Sequence, residues 1–123
     1  MILDQKNFTS GIFLEETEEL IGYAGICGIS SANKSGEHFI FIGDRNQWGK
    51  GIGTLATLQI LKHGFEKLGL NRIMLTVSDL NTAGIRAYEK AGFKYEGRLR
   101  QACYREGAFH DKVIMSVLKD EFQ

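Results

Sequence analysis

Hydrophobic positions along the chain follow two different periods, and the changes of period mark its elements. Gly11-Ile12-Phe13-Leu14-Glu15 is short and apolar, and Glu16-Thr17-Glu18-Glu19 is a charged turn. Leu20 to Ile29 then runs apolar with small residues. Two such runs around a tight polar turn predict an antiparallel hairpin. Ser30 to Gly36 is polar and reads as a loop. Glu37-His38-Phe39-Ile40-Phe41-Ile42 predicts a third strand, from its β-branched and aromatic residues, that stops at Gly43-Asp44. Beyond it the period becomes helical. Ile52, Leu55, Leu58, Leu61, Phe65 and Leu68 recur at spacings of three or four, one face of an amphipathic helix. Gly69 falls where a left-handed C-terminal cap is expected.

Arg72 to Val77 predicts the next strand, and Ser78-Asp79-Leu80-Asn81 supplies capping side chains for a helix from about Thr82 to Ala91. Gly92 then Phe93 reads as its stop, with Phe93 folding back as the hydrophobic contact of the cap. Two extended segments, Phe93 to Arg105 and Phe109 to Leu118, meet at the turn Glu106-Gly107-Ala108. The order is βββ-α-β-α-ββ. The strand–helix–strand–helix series in the middle requires some parallel pairing, and the hairpins at both ends require antiparallel pairing. The expected fold is α/β (α+β): a mixed, mostly antiparallel sheet with two helices packed on it.

Composition narrows the class. A chain of 123 residues, 43% of them hydrophobic, makes one domain over 1–123 with one core. Fifteen basic residues balance 15 acidic ones, which argues against a general nucleic-acid binder. No stretch approaches the ~20 apolar residues of a membrane span. Met1-Ile2-Leu3-Asp4-Gln5-Lys6 lacks the layout of a signal peptide. Cys27 and Cys103 are too few for a disulfide framework and lack zinc spacing. A cytoplasmic, reduced and metal-free protein is the expectation. With 15 glycines and no proline, turns and caps rest on Gly, Asn, Asp and Ser.

Candidate chemistry sits in two segments. Asn46-Gln47-Trp48-Gly49-Lys50-Gly51-Ile52-Gly53-Thr54 lies between a strand and a helix, with glycines alternating at 49, 51 and 53. Glycine backbone lets a ligand approach its N–H groups, and the helix start adds unpaired amides and a positive dipole end. That makes a pocket for phosphate or pyrophosphate, to which Lys50 adds charge. A glycine-rich turn with no ligand explains the same residues equally well. A dinucleotide fingerprint needs Gly-x-Gly-x-x-Gly, and a P-loop needs Ser or Thr after the lysine; neither fits here. In the second segment, Asn81 and Tyr88 stand two helical turns apart. Asn81 reads as a cap or a ligand contact, and Tyr88 as an edge-reaching core aromatic or a functional phenol.

Three motifs in order, Trp48-Gly49-Lys50-Gly51-Ile52-Gly53, Asn81-x6-Tyr88 and Tyr88-Glu89-Lys90-Ala91-Gly92-Phe93, resemble the GNAT acyl-CoA N-acyltransferase superfamily. The resemblance covers about Leu20 to the C-terminus. It is nearest the branch of ribosomal-protein N-terminal, spermidine and aminosugar acetyltransferases, through Phe41-Ile42-Gly43-Asp44-Arg45, Glu96-Gly97-Arg98-Leu99-Arg100, Tyr104-Arg105-Glu106-Gly107 and His110-Asp111. It implies an N-acetyltransferase that moves an acetyl group from acetyl-CoA to a primary amine: a polyamine, an aminosugar or a protein N-terminus. Acetyl-CoA would enter a splay between the strand ending at Ile42 and the strand Ile73 to Val77. Backbone groups of Phe41 and Ile42 would pair with its pantetheine arm. The loop Trp48, Gly49, Lys50, Gly51, Ile52, Gly53 and Thr54 would hold the pyrophosphate, and Asn81 the pantetheine. Tyr88 would protonate the departing thiolate, and a backbone N–H near Phe41 would polarise the thioester.

For the amine's proton, Glu37, Asp44 and Asp111 are the candidate carboxylates. His38, His63 and His110 are weaker, with His63 placed on the wet face of the long helix. The family fold begins with a strand and two helices that form one wall of the acceptor site, whereas here the hairpin begins by about Gly11. The alternative implied is a CoA-binding module with little turnover. Loss of those elements exposes apolar sheet surface, which predicts a homodimer, with Phe93 to Leu118 as contact region.

Overall fold

The structure is a computed structural model that describes residues 7–43 and 51–122. Strands β1 (Phe8–Phe13), β2 (Leu20–Ser30) and β3 (Ser35–Ile42) lead to helix α1 (Ile52–Glu66). Then follow β4 (Arg72–Ser78), α2 (Thr82–Lys90), β5 (Lys94–Arg105) and β6 (Ala108–Leu118). The described residues form one six-stranded sheet in the order β1-β2-β3-β4-β6-β5. Pairing is antiparallel throughout except between β3 and β4, which run parallel. The predicted class and element order hold. The first strand lies earlier than expected, because Phe8 to Ile12 continue the pairing with β2 that Phe13 only ends.

Both helices lie on one face of the sheet. Alternation in β4 turns Ile73, Leu75 and Val77 inward, and Val113, Met115 and Val117 do the same in β6. Ile26 of β2 joins them, and Ile60, Leu61, Phe65 and Leu70 close the core from the α1 side. The predicted face of α1 holds at Leu61 and Phe65, which are buried, and at Leu58 and Leu68, which pack on the core, but the buried stripe also takes in small residues. It runs through Thr57, Ile60, Leu61, Gly64 and Phe65, whereas Leu55 is exposed. Small residues win the positions nearest the sheet, because Gly64 lies where an added Cβ would sit 2.7 Å from the Cδ1 atoms of both Ile26 and Ile73. Leu55 instead faces a groove of about 560 Å³ between α1 and the β1–β2 hairpin, with Ile12, Leu14 and Ile21.

The expected punctuation is in place. Gly69 has φ of 69°, and Leu70 N–H donates to Gly64 O at 3.0 Å. At the end of α2, Phe93 N–H donates to Tyr88 O at 3.0 Å while Phe93 folds back into the core. Glu106 and Gly107, with φ of 53° and 81°, make a two-residue hairpin turn whose twist suits β5 and β6. No helix among the described residues is long and apolar enough to cross a membrane.

The opposite face carries no helix among the described residues. Tyr23 and Phe41 face each other across β2 and β3 there and stand exposed, Phe41 at 63%. Gly22 brings these two strands unusually close: a Cβ on it would lie 2.0 Å from the Phe41 carbonyl oxygen and 2.9 Å from Ile42 Cα. That obstacle is backbone, so relief requires the end of β3 to move. Gly22→Ala is expected to cost about 2 kcal/mol, read from the urea midpoint at unchanged slope.

Candidate functional site

The parallel pairing of β3 and β4 is short. It joins Ser35, Gly36 and Glu37 to Arg72, Ile73 and Met74 and goes no further. Beyond that point β3 stays with β2 as far as Ile42, and β4 stays with β6 as far as Ser78. The two strands therefore part, and the sheet opens toward their C-terminal ends. Each is followed by a helix on the same face, so the starts of α1 and α2 flank the opening. In open α/β sheets such a place, outside the carboxyl ends of parallel strands, is where ligands bind.

Register decides which backbone groups line the opening. Gly43 N–H donates to Ile21 O at 2.9 Å. Alternation from there turns the backbone of Phe41 and Phe39 to β2, and that of Ile42, Ile40 and His38 to the β4 side. Asp79 N–H donates to Asp111 O at 3.1 Å, which by the same alternation turns the backbone of Thr76 and Ser78 toward β3. Of the two β3 residues expected at a cofactor arm, Ile42 thus has its backbone directed at the opening and Phe41 does not. Ile40, absent from that expectation, is its register equivalent.

The two helix starts differ. Asn81 caps α2: its Oδ1 accepts from Gly84 N–H at 2.9 Å. That bond uses the carbonyl half of the amide, and the NH₂ half is not part of the cap. At α1 the N-cap is Gly51, with φ of 80° and no side-chain capping bond. The amides at Ile52, Gly53 and Thr54 thus begin a helix whose first turn carries no acidic residue. An added Cβ at Gly51 or Gly53 would meet nothing within 4 Å, so packing against the rest of the chain does not demand glycine at either. The positive φ does at Gly51. Trp48, Gly49, Lys50 and Asp44 lie outside the described residues.

Tyr88 projects from α2 toward the β3 edge of the opening. Its ring meets His38 edge-on, with centroids 6.2 Å apart and planes at 87°, and Phe93 at 5.8 Å. Burial raises its phenol above the ordinary value of 10, so it stays protonated through the neutral range. His38, ranked in the sequence only as a weaker proton acceptor, is a buried and fully hydrogen-bonded imidazole. Only 3% exposed, it bonds Gly25 O through Nδ1 at 3.1 Å and Thr57 Oγ1 through Nε2 at 3.0 Å. Burial lowers its pKa from 6.5 to about 4, so it is neutral at pH 7. The signal was available: with Gly36 and Ile40 it occupies the inward positions of an alternating strand.

The other ionisable candidates separate. Glu37, next to His38, carries its carboxylate on the open face, across from Cys27. Asp111 is engaged: its Oδ1 accepts from Gln101 N–H at 2.9 Å and its Oδ2 from Arg98 Nε at 3.2 Å. These bonds hold its carboxyl below the ordinary carboxylate value and anchor β6 to β5. Arg98 also binds Asp79 at 2.7 Å, which ties the end of β4 to the β5–β6 hairpin. His63 stacks on Phe8 at 4.1 Å, half-buried, which corrects its placement on the wet face.

Comparison with known proteins adds the lineage. A family described as "Acetyltransferase (GNAT) domain" matches residues 2–94. The chain is 31% identical over 116 residues to the uncharacterized N-acetyltransferase YoaA of Bacillus subtilis, covering 94% of this chain and 65% of that one. It is 30% identical over 105 residues to the spermidine N(1)-acetyltransferase of Vibrio cholerae, covering 85% and 60%. The chain thus spans somewhat under two thirds of the length of these curated relatives. Among solved structures, the Vibrio cholerae spermidine N-acetyltransferase in complex with CoA and spermine superposes with a TM-score of 0.88 at 26% identity, over 95% of this chain and 68% of that chain.

Proposed function

The chain belongs to the GNAT acetyltransferase family, and from that membership we propose that it moves the acetyl group of acetyl-CoA onto a primary amine. The observation that carries the reading is the parting of β3 and β4 beyond Glu37 and Met74, between a helix start without a side-chain cap and the helix bearing Tyr88. Acetyl-CoA would lie between the two helix starts. The loop from Trp48 to Thr54 would take the pyrophosphate on its amides, with Lys50 adding charge. The NH₂ of Asn81 would serve the pantetheine while its Oδ1 stays on Gly84. The β3 backbone beyond Glu37 would pair with the arm as an added strand does, and one of its N–H groups would polarise the thioester carbonyl.

The amine nitrogen then attacks the carbonyl carbon and the carbon–sulfur bond breaks. The departing sulfur takes a proton from Tyr88, and the amine gives one up to water or to a carboxylate on the open face, where Glu37 stands. Spermidine is the first acceptor to try, because relatives of this chain carry that name; aminosugars and protein N-termini follow. Exposed Tyr95, Leu99, Tyr104 and Phe109 on the β5–β6 hairpin offer the surface for a homodimer.

Thermal unfolding with and without acetyl-CoA tests the cofactor half. Ligand at 100 times its dissociation constant adds ~2.7 kcal/mol, which for a chain of this size raises Tm on the order of 10 °C. Release of free thiol on adding spermidine tests the transfer. No shift at millimolar acetyl-CoA overturns the reading. A shift with no thiol released by any amine leaves the CoA-binding module in its place.

A further inference from the structure

We propose that His38 is a positioning residue for the acetyl transfer proposed above: clamped by Thr57, its imidazole fixes the direction in which Tyr88 presents its phenol to the opening. The inference rests on that reading for its catalytic meaning, but its geometry stands separately. His38 follows Glu37, the last β3 residue paired with β4, so it sits where the strands part. Its side chain is buried on the helix face of β3, paired with Ile26 of β2, where an aliphatic residue would pack without desolvation cost. An imidazole there needs partners for both nitrogens, and has them.

Those partners choose the tautomer. The Gly25 carbonyl only accepts, so Nδ1 carries the proton and donates to it. Nε2 is then a bare acceptor, and the Thr57 hydroxyl donates to it. The ring is thus fixed at two points, one on β2 and one on α1, six residues after the Gly51 cap. Its plane stands at 87° to that of Tyr88 and at 29° to that of Phe93, with both centroids 6.2 Å away. Phe93 packs against Tyr88 at 5.8 Å and 67°, so the three rings form a triangle with His38 and Phe93 side by side against the Tyr88 ring. His38, tied at both nitrogens, and the buried Phe93 thus make the wall against which the Tyr88 ring packs, and that wall sets the direction of the phenol.

The test uses the full chain with Thr57→Val, Thr57→Ser and Thr57→Val combined with Tyr88→Phe, each checked for folding by its melting curve. Thr57→Val keeps the shape but deletes the donor to Nε2; Thr57→Ser keeps it. The expected result is a fall in kcat of about tenfold for Thr57→Val, at little change in KM for acetyl-CoA, and near wild-type rate for Thr57→Ser. In the Tyr88→Phe background the further loss from Thr57→Val should vanish, because the clamp acts through the phenol. Losses that multiply in that background overturn the proposal, and so does an unchanged kcat in Thr57→Val. The ring resonances of Tyr88 in tyrosine-labelled protein give a readout that needs no turnover. They should move in Thr57→Val and stay in Thr57→Ser, while those of Tyr95 and Tyr104 stay in both; a stationary Tyr88 signal overturns the proposal. A wild-type chain that releases no thiol sinks the transfer reading alone, since the resonances still report the clamp.

Discussion

Replacing Tyr88 with phenylalanine is expected to lower kcat by about 10² or more while leaving acetyl-CoA affinity within a few-fold. The change deletes one oxygen from a ring held by His38 and Phe93, so packing is kept. What is lost is the proton given to the departing sulfur, a contribution of ~10²–10⁴ in rate for a well-placed acid. The pH profile separates this role from a structural one. Burial raises the phenol above 10, so the wild-type rate should hold across neutral pH and fall only above that value, as the acid form is lost. Tyr88→Phe should flatten that alkaline limb. A variant with wild-type kcat, or one that keeps the limb, would remove Tyr88 from the chemistry and move the acid to another group at the opening.

Local punctuation of this fold was legible in the sequence because single residues cause it. Asn81 before α2, Gly69 after α1, Gly92-Phe93 after α2 and the turn at Glu106-Gly107 each act within a few bonds of themselves. The parallel step in the middle followed from the strand–helix–strand order alone. The buried face of α1 was less legible. Counting large apolar residues put Leu55 inward and passed over Thr57 and Gly64, but a helix approaches a sheet closest where its side chains are smallest. Leu55 then goes to the side groove with Ile12 and Leu14.

The site was legible as a set of motifs and not as a geometry. The glycine loop, Asn81 and Tyr88 are local signals, each readable within its own segment. That β3 and β4 part after Glu37 is a relation between segments more than thirty residues apart, and no local pattern encodes it. The same holds for register. Whether Phe41 or Ile40 turns its backbone to the opening depends on which residue of β2 it meets, and a shift of one reverses the answer. His38 ranks in the sequence only as a weaker proton acceptor, and its bonding in the core is not legible there for a different reason. A lone histidine carries no motif, and its meaning comes from Gly25, Thr57 and Tyr88, which the fold gathers from three other elements.

His38 also makes the fold sensitive to acid, with an expected loss of ~3 kcal/mol between pH 7 and pH 4 from this residue alone. The sign follows from proton binding. In the unfolded chain the imidazole takes a proton near pH 6.5; in the folded chain it does so only near pH 4. Between those values the unfolded state binds more protons, so stability falls as pH falls, by about 1.4 kcal/mol per pH unit. Above 6.5 the residue contributes no pH dependence, and below 4 the loss is complete. The cause is burial in the core, which the bond to Gly25 only partly offsets. Among the described residues, the ring's hydrogen-bond and ring-stacking partners are Gly25, Thr57, Phe93 and Tyr88, of which only Tyr88 titrates, as a phenol neutral throughout this range. Carboxylates elsewhere also titrate toward the acid end of the window, so the test is a difference. Urea midpoints of the wild type and of His38→Phe, which keeps a ring and has no titrating nitrogen, should be compared at pH 7.5, 6, 5 and 4.5. His38→Phe starts lower, having lost both hydrogen bonds, but its stability should fall less steeply between pH 6.5 and 4.5. Parallel curves would mean that the imidazole takes its proton equally well folded and unfolded, and that the core opens there more readily than its packing implies.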